Sequence, residues 1–532
     1  MSIPAVPIAI SGNQPQTKFW PWVALALAVG FIAVSTQSVW IDEAFMAVKA
    51  RQPTLSDWWR EMFEQKGSDL QMPFYMVYMW GFVKIFGLGE WALRAANIPW
   101  FAAGAAVFIS VFPRPRRFAV AVVTLACPFG WYYLNEARPY TMQLAASLVV
   151  FAALYHLHSA DEMGRRAERC WIAALYLGLL VQCGSSLLGV FGAMSAALSL
   201  PFLFSWKRLL ELLRAHWVIH LVSCVLLAAL GYYFIWSLKR AAGALDPGTP
   251  GSESLASEAA RTASQFLRGR AGATDAKDLA FIGYELLGLG GLGPGRLAIR
   301  ESNFAAFTPF LIPLALFGAI ISWVLLEAAH GVWGNPNRKR WIGPSLAVIL
   351  PVAILLLACR HLGMRAYGRH LTPVLPAILF LLSFGLWAGL TRRPGIGKWL
   401  AAALLLFNLA SCLSFRFAAR HEKDDYRGAV AIAQADLDQR KIVWWSADEH
   451  AAGYYHLPLS PRYSGDPSKV IRIQNAPATE LVLYPAPDEI IISKPDIYDS
   501  RGAVLEYLQQ HTYIKRATLQ AFTVWQRKNG PE

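Results

Sequence analysis

Cysteine is scarce. The chain of 532 residues has six, at positions 127, 170, 183, 224, 359 and 412, with no Cys-x-x-Cys pair and none after Cys412. That spacing excludes a disulfide framework and a cysteine metal site. Charged residues are also few, at 16%, and no group of His, Asp and Glu has the spacing of metal ligands, so neither a metal nor another cofactor is expected. Internal repeats are lacking. No small-x-small cleavage site follows the first apolar run, Phe19 to Val39, which therefore does not read as a cleavable signal. The formal net charge of +14 points away from nucleic acid, because much of it lies in short loops between apolar runs.

What is abundant is apolar surface. Hydrophobic residues make up 55% of the chain, with 21 Trp. Many runs have membrane-spanning length, which predicts a mainly α polytopic membrane protein embedded in a bilayer. Short loops rich in Lys and Arg mark the cytoplasmic side: Arg114–Arg117, Arg165, Arg166 and Arg169, Lys207-Arg208, Arg338–Arg340 and Arg392-Arg393. Threading the chain through them gives about eleven spans, roughly 19–39, 91–112, 118–134, 139–158, 171–184, 187–205, 216–238, 304–327, 342–359, 371–390 and 398–416. The N-terminus is then inside and residue 416 outside. Residues 1–416 form the membrane domain, with a first outer loop over 40–88 and a long one over 239–303. Met72 to Gly87 is read as lying against the membrane, because counting it as a span would invert every later basic loop. From 417 to 532 the pattern becomes that of a small soluble α/β domain. Helices are expected at Tyr426–Leu437 and Ala503–Gln510. Strands are expected at 442–445, 481–484, 490–492 and 522–525. Gly288-x-Gly290-x-x-Gly293 nominally matches a dinucleotide fingerprint, but no strand-then-helix frame surrounds it.

The residues that suggest chemistry lie on the predicted outer side. Asp42 and Glu43 follow the first span. Beyond them Leu55, Trp58, Trp59, Met62 and Phe63 form one face of an amphipathic helix suited to the interface, opened by Thr54 and Asp57 at capping-box spacing. The loop Asn135-Glu136-Ala137-Arg138-Pro139-Tyr140 faces the same side. A carboxylate and an arginine at a membrane edge are costly unless paired or functional. The stretch Cys359 to His370 holds three Arg and two His on the side where basic residues are unusual, which calls for an anionic partner such as a phosphate. Lys84 is a further candidate cation.

At these residues the chain resembles the GT-C glycosyltransferases, in particular the protein O-mannosyltransferase-like and aminoarabinose-transferase-like group. The resemblance rests on Asp42-Glu43, on Met72-Pro73-Phe74-Tyr75 through Glu90-Trp91-Ala92-Leu93-Arg94, on Asn135 to Tyr140, and more loosely on Tyr367-Gly368-Arg369 and Asp425-Tyr426-Arg427. Where the group usually has His-Pro-Pro, this chain has Gln71-Met72-Pro73. The resemblance implies an inverting transfer of a hexosyl or pentosyl unit from a polyprenyl-phosphate donor to a lipid, glycan or protein acceptor. It also implies an outer-face site in a bacterial inner membrane. Asp42 is the implied base, with Glu43 positioning a substrate. Arg138, Arg365, Arg369 and Lys84 are the implied phosphate ligands, with Glu136, Tyr140, Tyr367 and His370 in support. The alternative is a flippase or transporter of lipid-linked sugars, which needs the basic patch but no base.

Overall fold

A computed structural model describes residues 19–64, 68–159, 164–243, 274–333, 342–362, 365–460, 466 and 468–528. The basic stretch 338–340 and most of the Gly/Pro/Ser stretch 241–252 lie outside these residues.

Each of the eleven apolar runs contributes a helix, though the first only in part. Among the described residues six helices are long and apolar enough to cross a membrane, and eight if two bent pairs each count as one span. The bent pairs are Arg114–Leu125 with Pro128–Leu134, turned by 49°, and Gly189–Leu203 with Trp206–Ala215, turned by 119°. Arg165–Ser185 carries four charges in its first five residues, which lowers its mean hydropathy. The first run differs from expectation. Its helix, α1 (Trp20–Ala33), stops six residues before Val39, and Val34 is extended. The cause is the polar stretch Ser35 to Ser38, whose carbonyls are claimed by a side chain from elsewhere. After it comes a helix that the apolar runs do not announce, α2 (Ile41–Ala50), in which Glu43 Oε2 accepts the Trp40 N–H at 3.3 Å.

Two further helices complete the loop to residue 88: α3 (Leu55–Glu64) and α4 (Pro73–Phe86). Thr54 Oγ1 accepts the Asp57 N–H at 3.0 Å and donates to the Asp57 carboxylate at 2.6 Å, so the capping pair forms. On α3 only Trp58 and Met62 are buried, while Leu55 is half exposed. At 14 residues α4 spans about 21 Å, the same length as α1.

Helix packing is close in the bundle. A Cβ on Gly104 would lie 2.6 Å from the Ala145 Cα, so the helices Ile98–Ser110 and Tyr140–Ser159 meet backbone to backbone. The described basic loops share one end. Arg116 stacks over Trp387 at 4.3 Å, Phe112 packs on Tyr155, His158 bonds the Leu203 carbonyl, and Glu168 pairs with Arg208 and His216. Asp42, Arg138 and the segment after residue 417 lie at the other end.

The C-terminal segment is built on a six-stranded sheet in the order β2-β3-β1-β4-β6-β5. Its strands are β1 (Val443–Ser446), β2 (Leu459–Ser460), β3 (Val470–Arg472), β4 (Glu489–Ser493), β5 (Tyr513–Leu519) and β6 (Phe522–Arg527). The first four neighbours are parallel, and β4, β6 and β5 are antiparallel. Residues 481–484 are not a strand. Pro477 opens a short helix, Ala478–Leu481, and the chain then turns, leaving Val482 and Leu483 exposed. Adjacent Trp444 and Trp445 are both fully buried because a strand alternates its faces. Trp444 packs with Ile490, Val504 and Leu508. Trp445, Ile491 and Val524 instead join one continuous core with Ala44, Met46 and Ala47 of α2 and Met76 and Met79 of α4. The sheet is therefore fused to the Asp42 helix through shared apolar packing.

The Gly288 to Gly295 stretch is a packing loop. The element before it is a helix, Ala276–Leu286. The Gly291 N–H donates to Ser411 Oγ at 3.1 Å, and added Cβ atoms on Gly291 and Gly295 would meet the carbonyl oxygens of Ser411 and Arg420 at 2.1 and 1.8 Å. We expect Gly291→Ala to cost about 1–3 kcal/mol of stability, read as a lower thermal midpoint of the lipid-reconstituted protein. An unchanged midpoint would mean that the loop is not held against Ser411.

Candidate active site

Asp42 sits in the first turn of α2 with 37% of its side chain exposed. Arg138 reaches it from the loop before Tyr140. The guanidinium lies 4.0 Å from the Asp42 carboxylate, bonds the Asp42 carbonyl at 3.4 Å, and pairs with Asp69 at 3.2 Å. Asp69 also takes Lys49 of α2 at 2.6 Å, with both side chains buried. Burial alone would raise the Asp69 carboxyl, but Lys49 and Arg138 hold it below the usual range. Two carboxylates thus orient one arginine while Asp42 stays open. Tyr140, whose ring packs on Tyr133, lies within range of the Arg138 charge.

Arg369 approaches from the other side. Its guanidinium lies over the rings of Tyr367, at 5.0 Å, and Tyr140, at 5.8 Å, and Asp42 is among the charges acting on it. Among the described residues no carboxylate pairs with it, and its Nε–H is buried without an acceptor. The Nε–H of Arg138 is orphaned in the same way. Buried donors normally have partners, and these two unsatisfied guanidinium donors lie around one tyrosine ring.

Glu43 is placed differently from expectation. Its side chain is fully buried, whereas that of Asp42 is open. Its carboxylate takes Arg94 through both oxygens at 3.0 and 2.7 Å, Lys423 Nζ at 2.7 Å and the Ala137 N–H at 2.8 Å. Burial would raise this carboxyl, yet Arg94 and Lys423 bring it down to about 2. Arg94 also donates to the carbonyls of Ser35, Gln37 and Ser38 at 3.1, 2.7 and 3.0 Å. One buried arginine thereby ends α1, anchors α2 and, through Glu43, fixes the turn that carries Arg138.

The other expected residues divide. Arg365 is 41% exposed and faces Asp278 at 3.4 Å. His370 Nδ1 accepts the Tyr367 N–H at 3.3 Å and packs on the Tyr367 ring, a local cap for the Arg369 turn. Glu136 does not orient Arg138 through its carboxylate, which faces Arg296 at 3.8 Å, while its carbonyl accepts from Asn97 at 2.5 Å. Lys84 is outside the cluster. It donates to the Arg51 and Gln52 carbonyls at 3.3 and 2.6 Å, satisfying the C-terminal end of α2. Asp69, Lys49, Arg94, Arg296 and Lys423 are site or support residues that sequence reasoning missed. Asp69 and Lys49 had a usable signal, since both lie in stretches already read as near the membrane surface. Lys423 had none, being 380 residues from its partner.

Beside the cluster runs an apolar groove of about 700 Å³ between α3, α4 and the helix Trp217–Gly243. Trp58, Trp59, Phe74, Val77, Leu226 and Tyr233 line it. The Tyr233 hydroxyl donates to the carbonyl of Leu70, the residue after Asp69, so groove and charge cluster adjoin.

No family model matches the chain, and no curated protein matches it. Solved structures do. ArnT from Cupriavidus metallidurans in the apo state superposes with a TM-score of 0.54 at 15% identity, over 96% of this chain and 99% of ArnT. The same protein bound to undecaprenyl phosphate gives 0.52 at 15% identity over the same shares. At that identity the likeness shows the fold alone: this chain has the fold of ArnT.

Proposed function

We propose that the protein is an inverting glycosyltransferase that moves a sugar from a polyprenyl-phosphate donor to a hydroxyl-bearing acceptor. The observation that carries this reading is the open carboxylate of Asp42 facing two guanidinium groups with unsatisfied buried donors, Arg138 and Arg369. In such a transfer the acceptor oxygen attacks the anomeric carbon as the bond to the lipid phosphate breaks. Asp42 takes the acceptor proton. The phosphate leaves as an anion and needs positive charge rather than a proton, which the two arginines supply. The apolar groove ending at Leu70 suits the first isoprene units of the lipid. ArnT, with the same fold, has been crystallised with undecaprenyl phosphate. In this reading Asp42, Arg138, the tail and the Arg365 turn face outward in an inner membrane, and residues 1–416 and 417–532 divide the chain into membrane and outer units.

Arg369 is the phosphate ligand expected to matter most, because no carboxylate shares it. Arg369→Ala is expected to weaken undecaprenyl phosphate binding by about 10- to 100-fold, the loss of a charge-assisted hydrogen bond of about 1.5–3 kcal/mol. Arg369→Lys should recover part of it, since an ammonium supplies charge without the fork. Affinity measured by microscale thermophoresis on full-length protein checks this, and equal affinity in the alanine variant would remove Arg369 from the phosphate site. The function itself is tested by mass spectrometry of envelope lipids and glycans with and without the gene. A lost sugar together with an accumulated polyprenyl-phosphate sugar is the expected result, and unchanged profiles would contradict the proposal.

A further inference from the structure

We propose that Lys423, from the C-terminal segment, is a positioning residue of the active site that holds Asp42 and Arg138 in register by way of Glu43. The inference rests on the transferase reading above and gives the tail a role within it. Four observations carry it. Lys423 is only 11% exposed and its Nζ lies 2.7 Å from Glu43 Oε1. That same oxygen accepts the Ala137 N–H, one residue before Arg138, and Glu43 itself adjoins Asp42. Around this contact the tail grips the chain that feeds α2. The Tyr455 hydroxyl accepts the Val39 N–H at 2.8 Å and donates to Glu90 at 2.6 Å, while Arg427 pairs with Glu90 at 2.8 Å and its N–H donates to Ser38 at 3.1 Å. On the outer surface of α2, His450 stacks on Phe45 with ring centroids 4.0 Å apart. The catalytic helix is thus clamped between membrane domain and tail, and Lys423 is the tail's charged contact with its buried carboxylate.

The contact is also sensitive to pH. Burial, then the neighbouring Arg94, brings the Lys423 ammonium down to about 8, against the attraction of Glu43 and Glu136. Arg416 and His421 face it across a small cavity that also meets Asn135 and Glu136. Burial holds His421 down at about 4, so this imidazole is neutral in the relevant range. Below about pH 8 Lys423 is charged and the clamp is complete. Above it the lysine is neutral while Glu43 stays ionised, and the hold on the Ala137 turn loosens.

The test uses full-length protein in liposomes. The donor probe is the lipid extract of cells lacking the gene, and a membrane fraction of the same cells supplies the acceptor. Consumption of the accumulated lipid-linked sugar is followed from pH 6 to 10. The wild type should lose rate through about pH 8. Lys423→Arg, which stays charged, should retain most of the rate at pH 7 and abolish that alkaline fall. Lys423→Met should lower kcat by about 10- to 100-fold, as displacement of reacting groups by about 1 Å does. Its KM should stay within about twofold, because the phosphate ligands are elsewhere. A merely structural lysine would lower folded yield without moving the pH limb. The inference is overturned if the wild-type fall near pH 8 persists unchanged in Lys423→Arg, or if folded Lys423→Met turns over like wild type. Absence of any turnover by wild type would instead overturn the transferase reading.

Discussion

Asparagine in place of Asp42 is expected to lower sugar transfer by about 100- to 10,000-fold, the usual cost of losing a general base. The substitution keeps size and much of the hydrogen bonding but cannot take up the acceptor's proton. Undecaprenyl phosphate should still bind, because Arg138 keeps its pairing with Asp69 and Arg369 has no carboxylate to lose. The measurement is transfer rate and lipid affinity on the same reconstituted sample. Full activity of Asp42→Asn would exclude it as the base. Loss of lipid affinity at the same time would show that Asp42 holds the lipid rather than the acceptor.

The second large effect concerns stability. Arg94→Ala is expected to destabilise the protein by about 3–5 kcal/mol, the cost of breaking a buried ion pair from one side. The change leaves Glu43 with Lys423 as its one charged partner and strands the carbonyls of Ser35, Gln37 and Ser38. Lysine should not rescue it. Five guanidinium donors in a fixed fork serve both Glu43 oxygens and three carbonyls at once, and an ammonium has three donors. Thermal unfolding in detergent checks the prediction, and a midpoint near wild type would mean that Arg94 is not the joint between α1 and α2.

Several features were legible because local chemistry dictates them. The apolar runs gave the helices, and the basic loops gave a bundle with two distinct ends. Asp42 and Arg138 stood out because a charge at a membrane edge is costly without a partner or a purpose. What escaped was set by contacts across long sequence distances. α1 stops at Ala33 because Arg94 takes the next carbonyls. Glu43 looked like a twin of Asp42, yet one residue of helical rotation turns it from open surface into the core. Lys84 read as a candidate phosphate ligand, and its carbonyl partners at the end of α2 are visible only in three dimensions. The packing of one sheet face of the tail on α2 and α4 also escaped, because strand patterns carry no sign of what a face packs on. The segment 481–484 read as a strand from its apolar residues, and Pro477 opening a helix just before it was the overlooked signal.

The central claim is that the glycosidic bond to the lipid phosphate is broken at Asp42, rather than the intact lipid being moved across the bilayer. It is tested most directly by loading the accumulated polyprenyl-phosphate sugar into liposomes with the full-length protein and acceptor membranes, then following both the release of free polyprenyl phosphate and the leaflet in which the donor resides. The account predicts release of polyprenyl phosphate by wild type, its near loss in Asp42→Asn, and no protein-dependent change of leaflet. Movement of intact donor between leaflets without release of polyprenyl phosphate, equal in wild type and Asp42→Asn, would contradict it.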